Sequence, residues 1–182
     1  REAEELVKRN EKIVTDIRRL VEKTVRDSRR VVEELKREAE ETVERSRRVV
    51  TKLKELVERG DGRREEIERV TRELERENEE LERRVKKVID ELKELNDRLE
   101  ETLRRLVEES RRLLKDLIDK RGPDRMVEEV ERTSREVEEE VKRVLKKSRD
   151  VTREVEEEVR RLLERSRKET DDVRKRLEEA ER

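Results

Sequence analysis

The sequence predicts an all-α fold, an up-down-up antiparallel bundle of three long, nearly straight helices, and three observations carry that prediction. Helix-breaking residues fall at two places only, Gly60-Asp61-Gly62 and Gly122-Pro123-Asp124. The stretches between them are dense in Glu, Arg, Lys and Leu, all good helix formers. Within each stretch the pattern repeats at 18 residues. Eighteen residues make five turns at 3.6 per turn, the period of a straight helix, whereas 3.5 would impose a left-handed supercoil.

The first helix is expected over residues 2–59. TVRDSRRVVEELK from Thr24 returns as TVERSRRVVTKLK from Thr42. Turning each residue by about 100° gathers Leu6, Val7, Ile13, Val14, Ile17, Val21, Val32, Leu35, Val43, Val50, Leu53 and Val57 on one stripe. Gly60 suits the left-handed position past a helix end, and Asp61 can cap the next helix.

The second helix is expected over 63–121. Its stripe holds Ile67, Val70, Leu74, Leu81, Val85, Val88, Ile89, Leu92, Leu99, Leu103, Leu106, Leu114 and Leu117. Gly122 ends it, and Pro123 cannot continue a helix.

The third helix is expected over 124–181, with Asp124 able to cap it. SREVEEEVKRVLKKSRD from Ser134 is echoed by TREVEEEVRRLLERSRK from Thr152. Its stripe is Val130, Val137, Val141, Val144, Leu145, Val155, Val159, Leu162, Leu163, Val173 and Leu177. Each helix of ~58 residues would be about 87 Å long at 1.5 Å per residue. Loops at 60–62 and 122–123 are short enough to force antiparallel neighbours. The expected organisation is therefore a single three-helix bundle over 1–182.

Composition narrows the function. The 182 residues include 54 basic and 55 acidic side chains, and Phe, Tyr, Trp, His and Cys are absent. No thiolate, imidazole or base-stacking platform exists in this sequence. Disorder is the rival reading for so charged a chain, but 23 Val, 19 Leu and 5 Ile exceed the aliphatic content of disordered chains, about 20%. The net charge of −1 means that the signs interleave rather than repel. Arg29-Arg30 and Arg47-Arg48 sit among glutamates, as a solvated face does, so no nucleic-acid track is expected. No apolar run can span a bilayer, and no signal or transit peptide is visible. The first residue is Arg rather than Met, which implies processing or a tag outside this sequence. Gly60-Asp61-Gly62 lacks the Lys-Ser/Thr continuation of a phosphate loop. A di-metal bundle centre needs inward Glu with Glu-x-x-His motifs. No catalytic, cofactor or metal site is read here, so no enzyme is expected.

The informative anomaly lies in the middle of the apolar stripes. Asn10, Ser28 and Ser46 occupy that position on the first helix, Asn78 and Asn96 on the second with Ser110 nearby, and Ser148 and Ser166 on the third with Ser134 and Thr152 beside them. If the first hairpin folds about residue 61 and the second about 122, three layers emerge. They are Asn10 with Ser110 and Ser134, Ser28 with Asn96 and Ser148, and Ser46 with Asn78 and Ser166. A buried amide or hydroxyl costs about 1–3 kcal/mol when unpaired, so each layer must satisfy itself. Asn brings two donors and an acceptor, and two Ser around it can close a network. Sliding one helix would set Asn opposite Leu, which makes such layers suited to registry control.

On these features the chain resembles de novo designed helical bundles with buried hydrogen-bond networks. The 18-residue straight-helix repeat, the Asn/Ser layers and the minimal loops carry the resemblance over the whole chain. The Glu/Arg/Lys surface and missing aromatics add to it, while the heavy use of Val departs from Leu-dominated designs. The resemblance implies a scaffold with no natural activity, monomeric and needing no cofactor, nucleic acid or membrane. It would be soluble in the cytoplasm of a recombinant host. Some bundles of this kind are built as cages that accept a further helix, which makes an open bundle with a partner helix or self-association the alternative expectation. Flanking residues such as Leu20, Leu56, Leu95, Leu113, Ile118 and Val151 would then rim a groove.

Overall fold

The computed structural model describes residues 2–60, 64–122 and 124–180. Three α-helices make up the fold: α1 (Glu2–Arg59), α2 (Arg64–Arg121) and α3 (Arg125–Ala180). They pack on one another as an up-down-up three-helix bundle. The expected cap Asp61, the breakers Gly62 and Pro123, and the helix bounds 63 and 181 lie outside the described residues.

The helix ends follow backbone chemistry. Gly60 and Gly122 adopt φ of 66° and 69°, a left-handed conformation in which a side chain is strained. Gly122 N donates to the Ile118 carbonyl at 2.7 Å, which satisfies one of the terminal acceptors of α2. Asp124 takes the capping position the sequence gives it. It stands one residue outside, where its Oδ1 accepts from Val127 N at 3.0 Å, the geometry of an N-cap. Three glutamates in the first turn of α1 and Lys120 and Arg121 in the last turn of α2 oppose the helix dipoles.

The backbone groups into two compact units. The first comprises Arg1–Arg30 with Glu91–Val151. Its core holds Ile13, Val14, Ile17, Leu99, Leu103, Val137 and Val141, with a smaller cluster of Ala3, Leu117 and Val127. The second unit comprises Val31–Asp90 with Thr152–Arg182, and its core includes Val50, Leu53, Ile67, Leu74, Val173 and Leu177. Ala3, Ala39 and Val127 are buried core residues outside the expected stripes. The alanines carry too little apolar surface to mark a stripe.

Candidate functional site

The buried polar side chains of the described residues are all Asn, Ser or Thr. None ionises near neutral pH, so each must be satisfied by hydrogen bonding alone.

In the first unit, Asn10, Ser110 and Ser134 come together from three helices, and all are buried. Ser110 Oγ donates to Asn10 Oδ1 at 2.5 Å, and Asn10 Nδ2 donates to Ser134 Oγ at 3.5 Å. The hydroxyls of Ser110 and Ser134 are 3.4 Å apart. Ser110 spends its one hydrogen on Asn10, so Ser134 is the donor to Ser110. Three bonds close a ring in which each residue gives once and receives once. Along the helices the ring lies between the Ala3–Leu117–Val127 cluster and the cluster around Ile17 and Leu103.

The Ser28, Asn96 and Ser148 layer is not assembled as expected. Ser148 Oγ donates to Asn96 Oδ1 at 2.7 Å, but Ser148 is only half-buried. Ser28 is 9% exposed, and its hydroxyl has no hydrogen-bond partner among the described residues. Asn10 and Ser28 are 18 residues apart, whereas Ser110 and Asn96, and likewise Ser134 and Ser148, are 14 apart, so the two layers are unequally spaced on α1 and on its neighbours.

In the second unit Ser166 Oγ lies 3.0 Å from Asn78 Oδ1, to which it donates, and 3.3 Å from Ser46 Oγ. All three are at most 2% exposed. The network stays open on one side, because Asn78 Nδ2 is buried with no partner among the described residues.

Two of the four buried threonines bond back to their own helix. Thr71 Oγ1 donates to the Ile67 carbonyl at 2.7 Å and Thr170 Oγ1 to the Ser166 carbonyl at 2.9 Å. Turning back to the carbonyl four residues earlier lets a hydroxyl sit in a core without a partner helix. No layer arithmetic finds such residues, since they answer to their own helix.

Outside, Glu, Arg and Lys form ion pairs within and between helices. The best formed is a two-pronged pair, Arg111 Nε and Nη2 donating to the two oxygens of Glu138 at 2.7 and 3.0 Å. That hydrogen bonding, with the charge of Arg111, holds the Glu138 carboxyl below the usual carboxylate range against its partial desolvation. Lys120 lowers Glu2 in the same way, and the bond to Glu75 raises Arg174. These groups face solvent, and none is apposed to a nucleophile.

Between α1 and α3 of the first unit runs a groove of about 530 Å³. Ile17, Val21, Val141 and Val144 floor it, with Arg18, Glu22, Glu140 and Arg143 on its rims. Among the described residues no cluster of acidic side chains is arranged to hold a metal ion. No helix among them is long and apolar enough to cross a membrane.

What fold and interior define is a three-helix bundle with buried Asn/Ser hydrogen bonding. No family model matches the chain, and no curated protein matches it. Among solved structures it is similar to one described as a computationally designed three-helix bundle, at 19% identity and a TM-score of 0.50. The match covers 98% of this chain and 87% of that one. At that identity the likeness speaks for the fold.

Proposed function

We propose that this chain is a designed structural scaffold, a monomeric three-helix bundle with no natural biochemical activity, whose buried polar layers specify helix register. The observation that supports this most is the closed Asn10–Ser110–Ser134 ring, one residue from each helix. Moving any helix by a turn would exchange those three bonds for an amide or hydroxyl facing an aliphatic side chain, at about 1–3 kcal/mol for each stranded group. Among the described residues the buried polar side chains are amides and hydroxyls that do not ionise near neutral pH, and the reading includes no enzyme and no cofactor. The similar solved structure is a computationally designed bundle, which agrees with a designed origin for this chain. A recombinant host's cytoplasm is the expected place of production.

Solution mass by light scattering tests the reading: it expects 22.3 kDa at all concentrations. Thermal circular dichroism adds a second check, because idealised bundles of this kind are hyperstable and retain helix at about 90 °C. A cooperative melt near 50 °C would count against it. The α1–α3 groove over Ile17, Val21, Val141 and Val144 favours one alternative, an open bundle that takes a further helix. A concentration-independent dimer would support that second reading.

A further inference from the structure

A cleft of about 370 Å³ opens between α2 and α3 of the second unit. The buried Asn78 and Thr170 form its floor, and Glu75, Glu79, Arg167, Asp171 and Arg174 stand around it. Some of these groups are already spent. Arg174 Nη2 donates to Glu75 at 2.9 Å, and Arg167 pairs with Glu82. Glu79 and Asp171 each follow a floor residue, are exposed, and have no ion-pair partner among the described residues. Arg174 feels the charge of Asp171 but is held by Glu75. On the floor, Asn78 Oδ1 accepts from Ser166, which leaves Nδ2 buried with hydrogens to give and nothing to take them. Thr170 is the converse: its hydrogen goes to the Ser166 carbonyl at 2.9 Å, so its oxygen can only accept.

We propose that this cleft is a binding site for a small primary-ammonium cation bearing a neutral carboxamide, the chemical class of an amino-acid amide. The ligand carbonyl accepts from Asn78 Nδ2, its amide N–H donates to Thr170 Oγ1, and its ammonium lies between the Glu79 and Asp171 carboxylates. A carboxamide answers both floor residues because it takes and gives through neighbouring atoms. A bare cation would leave the Asn78 donor unpaired, which is the costly feature of the site. An anion would meet two uncommitted carboxylates at the rim. Ligand pockets run from about 300 to 1,000 Å³, so a cleft at the small end suits a molecule of this size. The site does not depend on whether the polar layers set helix register.

Glycinamide is the probe, followed by proton–nitrogen NMR titration of the full chain. It should shift the Asn78 side-chain amide protons, and the shift should saturate. Propylamine keeps the ammonium without the carboxamide, and acetamide keeps the carboxamide without the charge. Each should bind at least about fivefold more weakly, the scale of one lost hydrogen bond. Glu79→Gln with Asp171→Asn alters exposed residues only. That variant should weaken glycinamide by a similar factor and leave acetamide unchanged. Asn78→Leu, read at the Glu79 backbone amide, should erase the preference for glycinamide over propylamine. Equal affinity of the parent for glycinamide and propylamine, or no saturating shift at Asn78, overturns the proposal. So does glycinamide binding that survives Glu79→Gln with Asp171→Asn undiminished.

Discussion

The Ser110 hydroxyl and the Asn10 side-chain carbonyl form a 2.5 Å hydrogen bond between α1 and α2, the shortest leg of the ring that Ser134 completes. Asn10→Leu removes the acceptor of that leg and the donor to Ser134. The substitution is expected to cost about 1–3 kcal/mol in urea denaturation. The full replacement, Asn10→Leu with Ser110→Ala and Ser134→Ala, leaves no polar group stranded and should recover at least ~1 kcal/mol. Equal stability of the single and triple variants would show that the three residues act separately.

Asn78 should respond more mildly. Its Oδ1 accepts from Ser166, but its Nδ2 is already unpartnered, so Asn78→Leu removes a standing penalty along with a bond. Its cost is expected to fall below that of Asn10→Leu by roughly 1 kcal/mol, the scale of one unsatisfied buried donor. Parallel urea titrations of the two variants decide it. A larger loss for Asn78→Leu would mean that the amide has a partner in solution.

The Arg111–Glu138 pair predicts a pH dependence with a definite sign. Arg111 lowers the carboxyl of Glu138 in the folded chain. A lowered folded value adds stability that is fully present above the unfolded value, and that stability disappears as pH falls through the folded value. The loss should therefore appear below the ordinary carboxylate range, near pH 4 and lower. Both groups reach solvent, so the effect is small and shrinks with added salt. Denaturation midpoints taken between pH 7 and pH 3 should fall less steeply for Glu138→Gln than for the parent, and identical slopes would dismiss the pair.

Gly122 should be the less forgiving kind of loop residue. A methyl group added there meets nothing within 4 Å, but φ is +69°. The cost of Gly122→Ala is therefore conformational, roughly 1–2 kcal/mol. Thermal denaturation followed by circular dichroism measures it, and a neutral substitution would mean that the end of α2 can unwind by a residue without loss.

The three-helix fold was legible because Gly and Pro are confined to two sites and the 18-residue pattern between them agrees with long helices. The Asn/Ser layers were legible in part. Counting from a midpoint near residue 61 treats Asn10–Ser110 and Ser28–Asn96 as one register, although their spacings differ by four residues. Ser46–Asn78 shares the Ser28–Asn96 spacing and its layer is bonded through Ser166, so residue counting alone does not tell a bonded hydroxyl from the orphaned one of Ser28. Thr71 and Thr170 escaped for another reason: each is satisfied by its own helix, so no cross-helix pattern marks it. Ala39, fully buried, carries too little apolar surface to weigh in a stripe.

The ring around Asn10 also has a sense of rotation. Two serines facing each other can exchange donor and acceptor freely, because both hydroxyls turn at little cost. An amide cannot trade roles, since its nitrogen only gives and its oxygen only takes. Asn10 therefore sets the direction in which the hydrogens of Ser110 and Ser134 point, and the two rotors stop wherever the amide leaves them. Flipping that amide by half a turn would reverse the circulation, with Asn10 then giving to Ser110 and taking from Ser134. One planar group thus makes the arrangement of three hydrogens a two-valued property of the bundle interior, readable in principle from the chemical shifts of the Asn10 amide protons.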